Sequence, residues 1–233
     1  QSIAGQAVAT NLLAAQDMLN YEIFVRRLEM DLRGMNYASH LIPINQFHNP
    51  INIFAQLGSG QNAQPFQNER DYRNFISRAD DFAVYIDQAI VNMREGIRQG
   101  YTQPRVLMEK VLPQLQVHLV DDITTSLFYK PLKTLPDNIN SAAKTQLIAD
   151  YTGMISEILI PSIARLHHFI EQEYIPAARM TAGMNVLPNG DDWYAHLVAN
   201  KTSTDLSADE IHQIGLAEVS RIHREIHKVM SQV

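Results

Sequence analysis

Apolar residues recur along this chain at three- and four-residue steps, the pattern of helices that each bury one face. Over residues 68–100 the stripe runs Tyr72, Phe75, Ile76, Ala79, Phe82, Ile86, Ile90, Met93 and Ile97. Asn68 stands where an N-cap is needed, Glu69 and Asp71 suit the positive end of the helix dipole, and Gly100 can close the last turn. A second stripe runs Leu147, Tyr151, Ile155, Ile158, Ser162, Leu166, Phe169 and Ile170, and Pro161 interrupts it, which predicts a kink. The first helix, about residues 7–33, is apolar on more than one side, as expected of a helix sandwiched between neighbours. Thr102 and Pro104 mark a further helix start, with Pro113 breaking that helix after Leu112. Ser207 to Glu210 form a capping box that opens a last helix carrying Ile211, Val219, Ile222, Ile226 and Val229.

Two polar connections, residues 34–65 and 129–140, separate these helices. The first holds Asn49-Pro50 and Gly58-Ser59-Gly60, which bracket one short helix. Connections this long inside a compact domain tend to have a task, such as lining a cleft. No strand-like alternation appears, and Pro188-Asn189-Gly190 reads as a short turn. The expected fold is all-α, with long antiparallel helices.

Composition adds bounds. With 233 residues, 45% of them apolar and 19% charged, the chain can bury a substantial core. A net charge of −6 supplies no basic face for nucleic acid. Cysteine is absent, which excludes disulfides, thiolate metal sites and a cysteine nucleophile. No uninterrupted apolar run approaches the ~20 residues of a membrane span, so no transmembrane segment is expected. The chain begins at Gln1 and stops at Val233 within an amphipathic pattern, so residues 1–233 read as a single helical domain or part of one, cut at both ends.

Several side chains are candidates for chemistry. His223 and His227, four apart, share a helix face as metal ligands do, but Glu225 is turned about 200° away and cannot be their general base. They read as a surface pair, and no metal ligand is assigned. His167 and His168 point ~100° apart, one packed and one exposed. Glu218 falls inside the apolar stripe of the last helix and needs a partner, Arg221 three residues on or the distant Arg179. Arg179 closes the kinked helix and can hold a carboxylate. His40 and the loop Pro43 to Phe47 offer amides that either grip extended backbone or satisfy the loop itself. Trp193 and Tyr194 read as core or cleft-wall aromatics with one polar tip engaged. No phosphate-cradling glycine loop, nucleophile elbow or dinucleotide fingerprint is present.

Several segments, in this order, resemble a bacterial family known as domain of unknown function 885. They are LNYEIFVRRLEMDL (Leu19 to Leu32), HLIPINQF (His40 to Phe47), DYRNFISR (Asp71 to Arg78), EGIRQGYTQPR (Glu95 to Arg105), EYIPAAR (Glu173 to Arg179) and the stretch from Leu187 to Glu225. The resemblance implies a zinc-metallopeptidase-like hydrolase with a channel-containing helical scaffold similar to thimet oligopeptidase and carboxypeptidase Taq. There a zinc-bound water, activated by the glutamate of an HExxH segment, attacks a peptide carbonyl. That segment is absent here, so zinc is expected in a missing C-terminal half. This chain is then a non-catalytic N-terminal portion, inactive alone, that supplies one channel wall. Tyr174, Arg179, His212 and Arg221 are its substrate-channel candidates, and Glu218 with Arg221 a structural ion pair. The implied partners are a peptide substrate and the chain's own C-terminal half, with self-association expected where apolar faces are left uncovered. Family members resemble exported proteins and lipoproteins, which implies the periplasm or cell envelope. The rival expectation is a helical binding or scaffold module without chemistry.

Overall fold

The computed structural model describes residues 14–61 and 63–232. In chain order the helices are α1 (Ala15–Gly34), α2 (Pro50–Gly58), α3 (Glu69–Gln99), α4 (Arg105–Glu109), α5 (Val111–Gln116), α6 (Ser141–Ala177), α7 (Gly190–Thr202) and α8 (Ala208–Met230). The fold is all-α. Among the described residues the one strand-like contact is an isolated parallel bridge between Pro104 and Arg179. The chain forms two compact units: Ala38–Pro188, and the described parts of Gln1–Tyr37 with Asn189–Val233.

In the larger unit, α3 forms where its caps dictate. The Asn68 side chain accepts the Asp71 N–H, and Gly100 ends the helix at φ 82°, a conformation that suits glycine. α2 starts with Pro50 at its first turn and Asn49 accepting the Ile51 N–H, as the sequence leads one to expect. The break near Pro113 falls elsewhere, at Lys110 between α4 and α5. Pro113 then occupies the first turn of α5, where a missing N–H leaves no helical bond unmade.

α6 departs more informatively from the expected kink. It continues for 37 residues, past Pro161 and Pro176. Two π turns, Met154–Leu159 and Ile170–Tyr174, precede the prolines. A proline ring collides with the carbonyl four residues earlier, Glu157 and Gln172 here, and both carbonyls lie within the widened turns. The π turns also set register. Arg73 pairs with Asp150, Asp87 with Arg165 and Arg94 with Glu173. Each step between rungs is one residue longer on α6 than on α3, so one extra residue per π turn keeps the rungs level. The order of these pairs shows that α3 and α6 run parallel, not antiparallel. The connection spanning α4, α5 and residues 117–140 carries the chain back between them.

The buried face of α6 (Tyr151, Ile155, Leu159, Ile163, Leu166, Ile170 and Tyr174) meets α3 through Tyr72, Phe75, Ala79, Ile86 and Met93. Phe54, Phe66 and Phe128 close one end with stacked and edge-on rings. By length and composition α6 can cross a membrane. In this fold its apolar face is taken up by the core.

The smaller unit is thinly packed. The part of the first expected helix before residue 14 lies outside the described residues. The rest, α1, has no buried residue, so the expected sandwich is not formed. The proposed turn at Pro188 to Gly190 is the start of α7, with Asn189 left-handed at φ 53°. α8 opens on the complete capping box: the Ser207 side chain accepts the Glu210 N–H, and the Glu210 carboxylate accepts the Ser207 N–H.

Candidate functional site

In the larger unit, the end of α6 and the segment leading into α4 lock together around Tyr174 and Arg179. Tyr174 is fully buried, and its Oη accepts the Gln103 N–H at 2.8 Å. Burial pushes the phenol up to about 12, against a smaller opposing effect of that hydrogen bond and of Arg179. Arg179 Nε donates to the Thr102 carbonyl at 2.8 Å, and its Nη1 donates to the carbonyls of Thr181 and Gly183. Burial lowers the Arg179 pKa, because backbone carbonyls offset desolvation less than a carboxylate does. The Arg105 N–H donates back to the Arg179 carbonyl, and Gln103 Nε2 reaches the Ile42 carbonyl. Tyr174 and Arg179 thus form a clamp on the extended backbone of residues 102–105, and the residues they hold are part of this chain.

His212 and Arg221 belong to the smaller unit, on α8, and both are exposed. Arg221 grips Glu218 bidentately, Nε to Oε2 at 2.9 Å and Nη2 to Oε1 at 2.6 Å. The guanidinium lowers the Glu218 pKa. The pair is exposed, with the Glu218 side chain 51% accessible, so it straddles two turns of one helix and does not brace two helices.

His223 and His227 are exposed on the same helix, and Glu225 turns to Lys228 at 3.0 Å. Among the described residues no group of three or more His, Cys, Asp or Glu side chains converges on a metal-sized site. His167 is half-buried and His168 exposed. The loop from Pro43 to Phe47 satisfies itself: Asn45 Oδ1 accepts the N–H groups of Phe47 and His48, and Gln114 Nε2 donates to the Gln46 carbonyl.

The smaller unit holds a cluster that sequence reasoning found only in part. Trp193 is buried and stacks on Tyr37 at 5.6 Å, while His196 lies 5.1 Å from the other ring. Tyr37 Oη donates to the Asp192 carboxylate at 2.7 Å. Burial and that carboxylate raise the Tyr37 pKa. His196 is 3% exposed, and its Nδ1 has no hydrogen-bond partner among the described residues. The spacing of Trp193 and His196, three residues on one helix face, was available as a signal; the contribution of Tyr37 was not. Beside this cluster an open cavity of about 400 Å³ is lined by Arg33, Asp191, Tyr194, Asp205, Ser207 and Glu210. A second groove, about 320 Å³, runs in the larger unit between the Asp87–Arg165 and Arg94–Glu173 rungs, with Phe169 under Arg94.

No curated protein matches this chain. Among solved structures it is similar to the crystal structure of the putative lipoprotein from Colwellia psychrerythraea. The TM-score is 0.71 at 22% identity, over 78% of this chain and 31% of that one. The match therefore spans under a third of that protein's length, and at this identity it shows a shared fold. The sequence matches the family described as bacterial protein of unknown function (DUF885) over residues 3–233, and the chain belongs to that family.

Proposed function

We propose that this chain is the non-catalytic N-terminal portion of a zinc-dependent, peptidase-like hydrolase of the bacterial cell envelope, forming one wall of its substrate channel. The observation that carries this reading is the fold likeness to a much longer protein, of which the matched region is 31%. The name of that protein, a lipoprotein, supports a place at the envelope. The described residues do not fit a zinc site, since they bring no three ligands together. No step through a metal is therefore assigned to them, and zinc belongs to the C-terminal half. The role of Tyr174 and Arg179 is to hold the wall in shape, by fixing residues 102–105 against the end of α6.

The test compares the complete parent protein with residues 1–233. The complete protein is expected to retain stoichiometric zinc by elemental mass spectrometry and to cleave members of a mixed peptide library, and the 233-residue chain to do neither. A complete protein free of zinc and inert towards the library sinks the proposal. Labelling of the native gene product with radioactive palmitate checks the envelope assignment.

A second reading, a helical binding or scaffold module without chemistry, is favoured by one observation. The polar side chains singled out as Tyr174, Arg179, Glu218 and Arg221 are all engaged within the chain. A parent reading frame that encodes no HExxH segment decides for it.

A further inference from the structure

The last helix offers the longest uncovered apolar stripe among the described residues. None of the 23 residues of α8 is buried, and Val219, Ile222, Ile226 and Met230 stand 43–67% exposed. An amphipathic helix draws most of its stability from covering its apolar face, because its own hydrogen bonds leave it marginal in water. The charges on its flanks are already engaged: Arg221 holds Glu218 and Lys228 holds Glu225. Whatever covers α8 is therefore selected first by apolar shape.

We propose that a second copy of this chain covers the stripe, with α8 pairing antiparallel to α8 about a two-fold axis between Ser220 and Arg221. The stripe consists of Ile211, Gly215, Val219, Ile222, Ile226 and Met230, in steps of four, four, three, four and four, so it reads the same in both directions. With the two copies antiparallel, Val219 meets Ile222 of the second copy, Gly215 meets Ile226, and Ile211 meets Met230. Every contact occurs twice, as an isologous interface requires. Residues four apart form the ridges of the commonest helix-packing class. A Cβ placed on Gly215 meets no atom within 4 Å, so that stretch of backbone is open and Ile226 of the second copy fills the depression. A parallel pairing in register sets Gly215 against Gly215 and leaves a gap. On the flank, Glu218 falls opposite His223 of the second copy, a favourable pairing when the imidazole is protonated.

Sedimentation equilibrium of the 233-residue chain tests the pairing, and a concentration-dependent dimer is expected. Ile222→Asp enters the interface twice and is expected to raise the dimer dissociation constant by about 100-fold or more. Gln213→Asp, on the opposite side of the helix, leaves it unchanged. Because the chain has no cysteine, Ile211→Cys and Met230→Cys variants report direction cleanly even if Ile222→Asp disturbs the helix. They are expected to form a disulfide-linked dimer when mixed and none when either is oxidised alone. A wild-type chain that stays monomeric at about 100 μM overturns the proposal and assigns the stripe to a different occupant, such as another segment of a longer parent. A dimer indifferent to Ile222→Asp, or cross-linking by either cysteine variant alone, overturns it as well.

Discussion

Two buried tyrosines in the larger unit share an environment and differ in one bond. Tyr72 Oη donates to the Pro131 carbonyl at 3.0 Å, whereas Tyr151 Oη, equally buried, has no partner among the described residues. Burial raises both phenols, Tyr72 to about 12 and Tyr151 further. An unmet buried hydroxyl costs more than its removal, so Tyr151→Phe is expected to stabilise the fold by about 1 kcal/mol in urea titrations. Tyr72→Phe orphans a carbonyl and is expected to destabilise by about 1 kcal/mol. His118 gives a pH-dependent counterpart. It is 6% exposed, with Nε2 3.2 Å from Asn52 Oδ1, and burial lowers its pKa below the ordinary 6.5. The unfolded chain then binds the proton more readily than the folded one. This contribution is constant above pH ~6.5 and turns against folding as pH falls from there towards the lower folded value. The thermal midpoint of the native chain is expected to fall over that window, and that of His118→Gln to fall less.

Among the elements, α3 and α8 show what caps accomplish. Ser207→Ala removes the hydrogen bond to the Glu210 N–H and is expected to lower helicity, with a cost of about 1 kcal/mol to α8. Both helices were legible because Asn68, Gly100 and the Ser207–Glu210 pair act within a turn of their own position. α6 was legible as a stripe but not as a continuous rod. Pro161 forecasts the loss of one hydrogen bond, and only packing against α3 determines whether the chain bends or widens into a π turn. Pro113 misled for a similar reason, since its effect depends on how far it lies from the true start of α5. The clamp was beyond reach of the sequence: Tyr174 meets Gln103 across 71 positions, and no local pattern encodes that. Glu218 and Arg221 were legible as neighbours, but their exposure was not, because the stripe beside them has no cover. A tighter joint lies at Gly96, where a Cβ would stand 2.7 Å from the backbone oxygens of both Leu41 and Tyr101. Neither carbonyl can swing aside like a side-chain tip. Gly96→Ala is thus expected to cost about 1–3 kcal/mol, read from the shift in the urea midpoint.

At the scale of the whole molecule, the hydrophobic core lies entirely within Ala38–Pro188. That segment alone is expected to unfold cooperatively in calorimetry, while α1 and α8 exchange their amide hydrogens earliest in the intact chain. Stability is distributed unevenly because burial is. The smaller unit is also divided along the sequence, and this has a consequence during synthesis. Tyr37 must wait for Asp192, 155 positions later, before its hydroxyl finds the carboxylate. At about 5–20 residues per second the ribosome leaves α1 without its mate for roughly 8–30 s, time enough for the intervening segment to condense. Throughout that interval the greasy sides of α1 are presented to the cell, so the nascent polypeptide should lean on chaperones most while its middle third is emerging, and a slowed ribosome there should raise the fraction lost to proteolysis.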